Sequence, residues 1–174
     1  NLNLRDCDSL QNVDGLVNCT KLTSLELRGC FTLQNVDGLV NCTNLTKLDL
    51  SFSTSLQNVD GLENCTNLTN IDLYYCRGLK NVDGLTNLTK ITTLALKDCS
   101  SLKNLDGLVN CTEITSLDLR GCDALQNVNG LAGCTSLKSL NLRACGVVPT
   151  PTPVVMKNRG QVVAYQEKIK NFMK

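Results

Sequence analysis

The pentapeptide Asn-Val-Asp-Gly-Leu returns every 23 residues, at Asn12, Asn35, Asn58 and Asn81. It continues as Asn-Leu-Asp-Gly-Leu at Asn104 and as Asn-Val-Asn-Gly-Leu at Asn127. Six copies without a slip in register describe one structural unit, stacked. A lone unit cannot bury its own apolar face, so neighbours must share one continuous core. Such an array offers a long surface rather than an enclosed pocket, which favours binding over catalysis.

One unit reads Leu22-x-x-Leu25-x-Leu27-x-x-Cys30-x-x-Leu33-x-x-Val36-x-x-Leu39-x-x-Cys42. The Leu25-x-Leu27 alternation has the period of a short strand. Seven such signals are centred near Leu2, Leu25, Leu48, Ile71, Leu94, Leu117 and Leu140. Further along the unit apolar residues recur every third position, as in extended or 3₁₀ turns. The Asp-Gly step turns the chain. Asp37 and its equivalents are expected to cap that turn, and Gly38 and its equivalents to take φ > 0.

Eleven cysteines fall in two columns at the repeat period. One holds Cys7, Cys30, Cys76, Cys99, Cys122 and Cys145, with Ser53 in the remaining slot. The other holds Cys19, Cys42, Cys65, Cys111 and Cys134, with Leu88 in the remaining slot. An odd total replaced by Ser in one column and Leu in the other suits small buried fillers, not obligate pairs. Free thiols favour a reducing, cytoplasmic setting, with the cell surface as the alternative. Adjacent strands lie close enough that oxidation within a column is not forbidden by distance. Zinc is not expected, for there is no His and no Cys-x-x-Cys pair.

The pattern L-x-x-L-x-L-x-x-C resembles the leucine-rich repeat, from Leu2 through Cys145. The 23-residue unit with its Gly-Leu-x-Asn-Cys-Thr-x-Leu segment is similar to the internalin-like and cysteine-containing subclasses. In that family Asn usually occupies the Cys30 position and forms a hydrogen-bonded ladder; Cys is a weaker donor. The resemblance implies an α/β repeat solenoid, a horseshoe or arc. A parallel sheet lines the concave side, 3₁₀ or turn segments line the convex side, and a helical cap closes the C-terminus.

The copies stop matching on the outward strand positions. One column reads Asn3, Glu26, Asp49, Asp72, Ala95, Asp118, Asn141; the next reads Arg5, Arg28, Ser51, Tyr74, Lys97, Arg120, Arg143. The third reads Asp6, Gly29, Phe52, Tyr75, Asp98, Gly121, Ala144. Acidic and basic stripes thus run side by side, and the simplest role of such pairs is mutual neutralisation. Phe52, Tyr74 and Tyr75 gather half of the three Phe and three Tyr on the middle strands. Aromatics beside Arg are what protein interfaces favour. The expected site is therefore Phe52, Tyr74 and Tyr75 as anchors, with Arg28, Asp49, Asp72, Lys97 and Arg120 as charged contacts. The expected partner is a protein or peptide.

Net charge of +1 gives no pull toward nucleic acid or an anionic membrane. There is no Gly-rich phosphate loop, no Gly-x-Ser-x-Gly and no His to serve as a base for a thiol. Neither catalysis nor a cofactor is expected, and a monomer is favoured. Seven Asn-x-Thr triplets recur because the repeat does, and their side chains are expected to bond turn backbone rather than carry sugar.

The solenoid is expected over residues 1–146, a Pro-rich linker over 147–153, and a capping helix or helix pair over 154–174. Thr152-Pro153 is the expected start of the helix, and Gly160 its kink. Val162, Tyr165, Ile169 and Phe172 form one apolar stripe, expected to dock on the last repeat. The segment Pro153-x-Val155-x-x-x-x-Gly160-x-x-Val163-Ala164-Tyr165 resembles the element after the repeats of some Roc-type GTPase proteins. Lacking a P-loop, this chain would be a sensor or scaffold segment of such a protein; a surface adhesin resembling internalins is the other alternative. Its five basic tail residues, from Lys157 to Lys174, offer a membrane anchor as a minor alternative. The chain opens on Asn1 without a leader, and is read as a fragment or a trimmed chain.

Overall fold

A computed structural model describes residues 1–146 and 155–172. Seven strands stack at the repeat period: β1 (Leu2–Asn3), β2 (Ser24–Glu26), β3 (Lys47–Asp49), β4 (Asn70–Asp72), β5 (Thr93–Ala95), β6 (Ser116–Asp118) and β7 (Ser139–Asn141). Pairing is parallel and slips nowhere: Leu2 faces Leu25, Leu25 faces Leu48, Leu48 faces Ile71, and Ile71 faces Leu94. The ladder is interrupted between β5 and β6, giving a five-stranded and a three-stranded sheet. Backbone contact resumes just past the strands, where Asp98 N–H donates to Arg120 O at 2.7 Å. On the other side, short 3₁₀ turns stack: Asp14–Leu16, Asp37–Leu39, Asp60–Leu62, Asp83–Leu85, Asp106–Leu108 and Asn129–Gly133. Between the layers lies one core, in which Leu27, Leu33, Leu39 and Leu45 and their interior equivalents are wholly buried.

The Asn-Val-Asp-Gly-Leu motif works differently from the sequence expectation. Asp37 makes no side-chain cap bond. Instead Asn35 Oδ1 accepts the Asp37 N–H at 3.2 Å, and Asn12, Asn58, Asn81, Asn104 and Asn127 repeat the contact. Asp37 is already the first residue of the turn, so it does not occupy the N-cap position, which falls to Val36. Nor does Gly38 take positive φ; among the described glycines only Gly29 and Gly121 do. A Cβ on Gly38 would collide with the Val13 carbonyl, and Gly61, Gly84 and Gly107 face Val36, Val59 and Val82 the same way. Glycine is required here by the closeness of stacked backbones, not by a left-handed turn.

The two cysteine columns differ in geometry. In the first, each thiol after Cys7 donates to a carbonyl of the preceding unit: Cys30 to Leu4, Cys76 to Leu50, Cys99 to Leu73, Cys122 to Leu96 and Cys145 to Leu119, at 3.0–3.2 Å. Ser53 maintains that ladder with its hydroxyl on Leu27 O at 3.2 Å. In the second, the equivalent contacts are longer: 3.3 Å for Cys65, 3.6 Å for Cys42 and Cys134, 3.8 Å for Cys111. A weaker bond is easier to forgo, which accounts for Leu88 in that column. All eleven cysteines are free.

The C-terminal segment turns back on the last unit. Val155–Met156 forms β8, antiparallel to β7, with Met156 facing Leu140. The helix α1 then runs Arg159–Phe172 without a break. It begins five residues later than the expected 154 because residues 155–156 are drawn into the sheet edge. Asn158 starts it, accepting the Gln161 N–H at 3.0 Å, while Gln161 Oε1 accepts the Lys157 N–H. Gly160 sits in the first turn and kinks nothing. Val162, Tyr165 and Ile169 are buried against the last unit, and a solenoid end needs such a cover. The linker 147–153, the Thr152-Pro153 start and the side chain of Phe172 lie outside the described residues.

Candidate functional site: an aromatic rim on the concave face

The strand β4 ends at Asp72, Leu73 turns inward, and Tyr74 emerges on the concave surface. Asp72 Oδ1 accepts the Tyr74 N–H at 2.8 Å. Asp49 does the same for Ser51 at 2.9 Å and also accepts its hydroxyl at 2.6 Å. Asn3, Asp118 and Asn141 repeat this backbone contact in their own units. The acidic stripe is thus partly a row of turn-holding side chains. Burial, reinforced by the Asp49 carboxylate, pushes the Asp72 carboxyl above its ordinary value, against the pull of the Tyr74 N–H and Arg28.

The next residue in each unit reverses the chain with positive φ: Asp6, Gly29, Phe52, Tyr75, Asp98, Gly121 and Ala144. Two bulky rings stand in this column, with φ of 63° at Phe52 and 62° at Tyr75. A side chain in this region costs on the order of 1–2 kcal/mol. Retained strain of this kind concentrates at functional positions.

The three expected rings come together. Phe52 meets Tyr74 edge-on, centroids 5.1 Å apart. Tyr75 lies 5.2 Å from Phe52 and 5.9 Å from Tyr74. All three are half-buried. Each also carries a cation. Arg28 lies over Phe52 at 4.7 Å, and Lys97 over Tyr74 at 5.3 Å. The third is Arg77, 4.1 Å over Tyr75. Sequence reading missed Arg77 because it falls outside the strand columns; its signal is the two-residue step from Tyr75 across the reversal.

The remaining expected charges are arranged differently. Arg120 is turned onto Asp118 through Nη2 at 2.6 Å and stands apart from the rings. Burial would raise the Asp118 carboxyl, but the Arg120 hydrogen bonds and charge hold it below its ordinary value. Arg5 pairs with Glu26 at 2.9 Å, with Asp49 at 3.9 Å beyond. Beside the rings a shallow groove of ≈ 580 Å³ runs toward the seam between β5 and β6, lined by Tyr74, Lys97, Asp72, Thr93, Ala95 and Asp118. Phe31, 47% exposed, stands further along the rim.

The buried interior thiols are chemically quiet. Burial pushes Cys65, Cys76 and Cys134 up to about 12 and Cys111 up to about 11. A thiol held protonated is a poor nucleophile. Among the described residues no cluster of His, Cys, Asp or Glu is placed to hold a metal ion, and no helix is long and apolar enough to cross a membrane.

Residues 77–150 match the family model of the endo-beta-N-acetylglucosaminidase EndoS LRR domain, and residues 43–87 match that of the leucine-rich repeats (2 copies). No curated protein sequence matches the chain. Among solved structures, an internalin C2 (inlC2) of Listeria monocytogenes is similar with a TM-score of 0.65 and 24% identity, over 88% of this chain and 66% of that one. An internalin (inlF) of the same organism has a TM-score of 0.61 and 23% identity, over 80% of this chain and 46% of that one. The chain therefore spans about half to two thirds of the length of these structures.

Proposed function

We propose that this chain, a leucine-rich repeat protein with an internalin-like fold, captures a protein partner on its concave face without performing chemistry on it. The observation that supports this most is the ring cluster of Phe52, Tyr74 and Tyr75. Five of the seven reversal positions hold Gly, Asp or Ala, which fit or tolerate φ > 0 better than large rings do. Keeping two rings in that conformation costs stability and gains exposed aromatic area. Rigid aromatics with cations over their faces are what interface hot spots are made of. The groove beside Tyr74 extends the contact along β5 and β6.

The test is capture by the immobilised chain, wild type against Tyr74→Ala with Tyr75→Gly. Loss of capture by a variant with unchanged melting supports the reading. Equal capture by the folded variant overturns the site.

The thiols fit a reducing compartment, and burial also shields them elsewhere. Labelling the denatured native-source protein under non-reducing conditions decides between the two. Eleven free thiols support the reducing compartment, and paired ones support the cell surface. A sensor or scaffold segment of a larger protein is the second reading, resting on the likeness of Pro153 to Tyr165 to the element after the repeats of Roc-type GTPase proteins, and a surface adhesin resembling internalins is the other alternative. The full reading frame around the chain tests it.

A further inference from the structure

The cations of the concave face are not equivalent. Arg5 and Arg120 are neutralised by carboxylates of their own or the adjacent unit. Lys97 has Asp98 at 3.5 Å. Arg28 and Arg77 differ: among the described residues neither side chain makes a salt bridge, as Arg143 also does not, but these two guanidiniums each lie over the face of a ring, and Arg28 acts on Asp72 only through its charge. Both are exposed. Arg28 lies over Phe52 and Arg77 over Tyr75, and those two ring centroids are 5.2 Å apart. A guanidinium lying over a ring keeps its in-plane N–H donors free to point outward. The ring contact localises each cation while its hydrogen-bonding capacity is unspent, an arrangement suited to receiving a carboxylate.

On the strand side the sign reverses. Asp49 and Asp72 face each other across β3 and β4, and Asp72 has no cation within salt-bridge distance among the described residues. An acidic segment would be repelled from the sheet centre and attracted to the rim. The open charges thus define an orientation as well as a site.

We propose that Arg28 and Arg77 form a clasp for an acidic, aromatic- or aliphatic-bearing segment of the protein partner, which crosses the rim over Phe52 and Tyr75. Its carboxylates meet the two guanidiniums and its apolar side chain packs on the rings. Where the segment continues over β3 and β4 it carries a basic residue toward Asp49 and Asp72. This rests on the rim being the protein-binding site, and it specifies what the partner must present there.

The experiment selects short random peptides displayed on phage against the full chain. The same library is selected in parallel against Arg28→Glu with Arg77→Glu, and against Tyr74→Ala with Tyr75→Gly. Melting and circular dichroism establish that each variant is folded. The expected wild-type peptides are enriched in Asp or Glu beside an apolar residue. They should lose about tenfold or more in affinity on the charge-reversed variant, as removal of a charge-assisted contact does. Their binding should weaken as salt is raised, and the reversed variant should enrich Lys or Arg instead. Peptides that need the rings but are indifferent to charge reversal overturn the clasp and leave the protein-binding reading standing. Peptides indifferent to both overturn the clasp and the site together. Failure to enrich any peptide overturns the clasp, since it requires a short segment to suffice.

Discussion

The side-chain amide of Gln166 donates to the Leu131 carbonyl at 2.7 Å, where an interior unit would place a cysteine thiol, as Cys134 does for Leu108. The same amide reaches Cys134 O at 3.0 Å, and Arg159 Nη1 reaches Leu137 O at 2.8 Å. The helix thus closes the solenoid, replacing at Leu131 O the bond a further unit would supply, and Val162, Tyr165 and Ile169 supply its apolar cover. Met156 replaces the next strand's leucine in the sheet.

Gln166→Leu keeps the volume and removes the donors. Both carbonyls still accept a backbone N–H, so the expected loss is about 1–2 kcal/mol rather than unfolding. Because each unit contacts only its neighbours, the loss should stay local. Hydrogen exchange should rise in the last unit and α1 and remain unchanged around β2 and β3. Uniformly raised exchange along the whole chain would contradict this account of the cap.

Glycine in the repeated motif offers an internal control. Gly61→Ala places a Cβ against the Val36 carbonyl, whereas Gly15 has nothing within 4 Å of the equivalent point. Backbone cannot yield as a flexible side chain can, so Gly61→Ala should destabilise by about 3 kcal/mol, the upper end of overpacking. Gly15→Ala should be neutral, or stabilise by about 0.5 kcal/mol through the unfolded chain. Urea unfolding of the two variants makes the comparison; equal effects would mean that the motif's glycines serve turn conformation after all.

Much of this was legible in the sequence, and what escaped it has a physical cause. A period of 23 residues fixes strand register, since each Leu must meet its equivalent; Leu25 does face Leu48. The clustering of Phe52, Tyr74 and Tyr75 followed from the same arithmetic. The motif's inner workings did not. Asn-x-Asp and Asp-Gly both read as turn signals, and only the turn's starting point shows that Asn35, not Asp37, accepts the N–H. The sequence suggests a conformational role for Gly38 because it does not display the distance between backbones. The β8 strand was hidden because Val155–Met156 is too short to show a period. Arg77 was hidden because ring–cation contacts cross the reversal that ends the column pattern.

Stability should fall in alkali. Burial raises Cys76 from 9.0 to about 12, and Cys65 and Cys134 likewise to about 12. In the unfolded chain these thiols ionise near 9, so the unfolded state loses protons first. The folded state is therefore fully favoured below about pH 9, and that advantage drains away as pH rises toward about 12. Urea midpoints should be level through neutrality and drop steadily above about 9. Changing Cys76 to Ser removes one ionising group while its hydroxyl can take the bond to Leu50 O, as Ser53 does to Leu27 O. That variant should show a shallower alkaline decline. A decline identical to wild type would assign the effect to other groups.

The left-handed column allows strain and binding to be separated. Phe52 holds φ of 63° where Gly29 and Gly121 hold 75° and 73°. Phe52→Gly should relieve roughly 1–2 kcal/mol of backbone strain. Against that it loses the half-buried ring and its contacts with Tyr74 and Tyr75, each worth about 0.5–1.5 kcal/mol beyond area. The two effects oppose, but the ring contacts and the added freedom of the unfolded chain outweigh the relief, so Phe52→Gly should be destabilised by about 1–2 kcal/mol. Phe52→Val loses the same ring but keeps the strain, and its β-branch fits this region worst. It should therefore be less stable than the glycine variant by about 2 kcal/mol. Denaturant unfolding of both variants reads this difference. A valine variant as stable as glycine would show that the position is not strained. The expected ordering would mean that Phe52 is held against the backbone's preference.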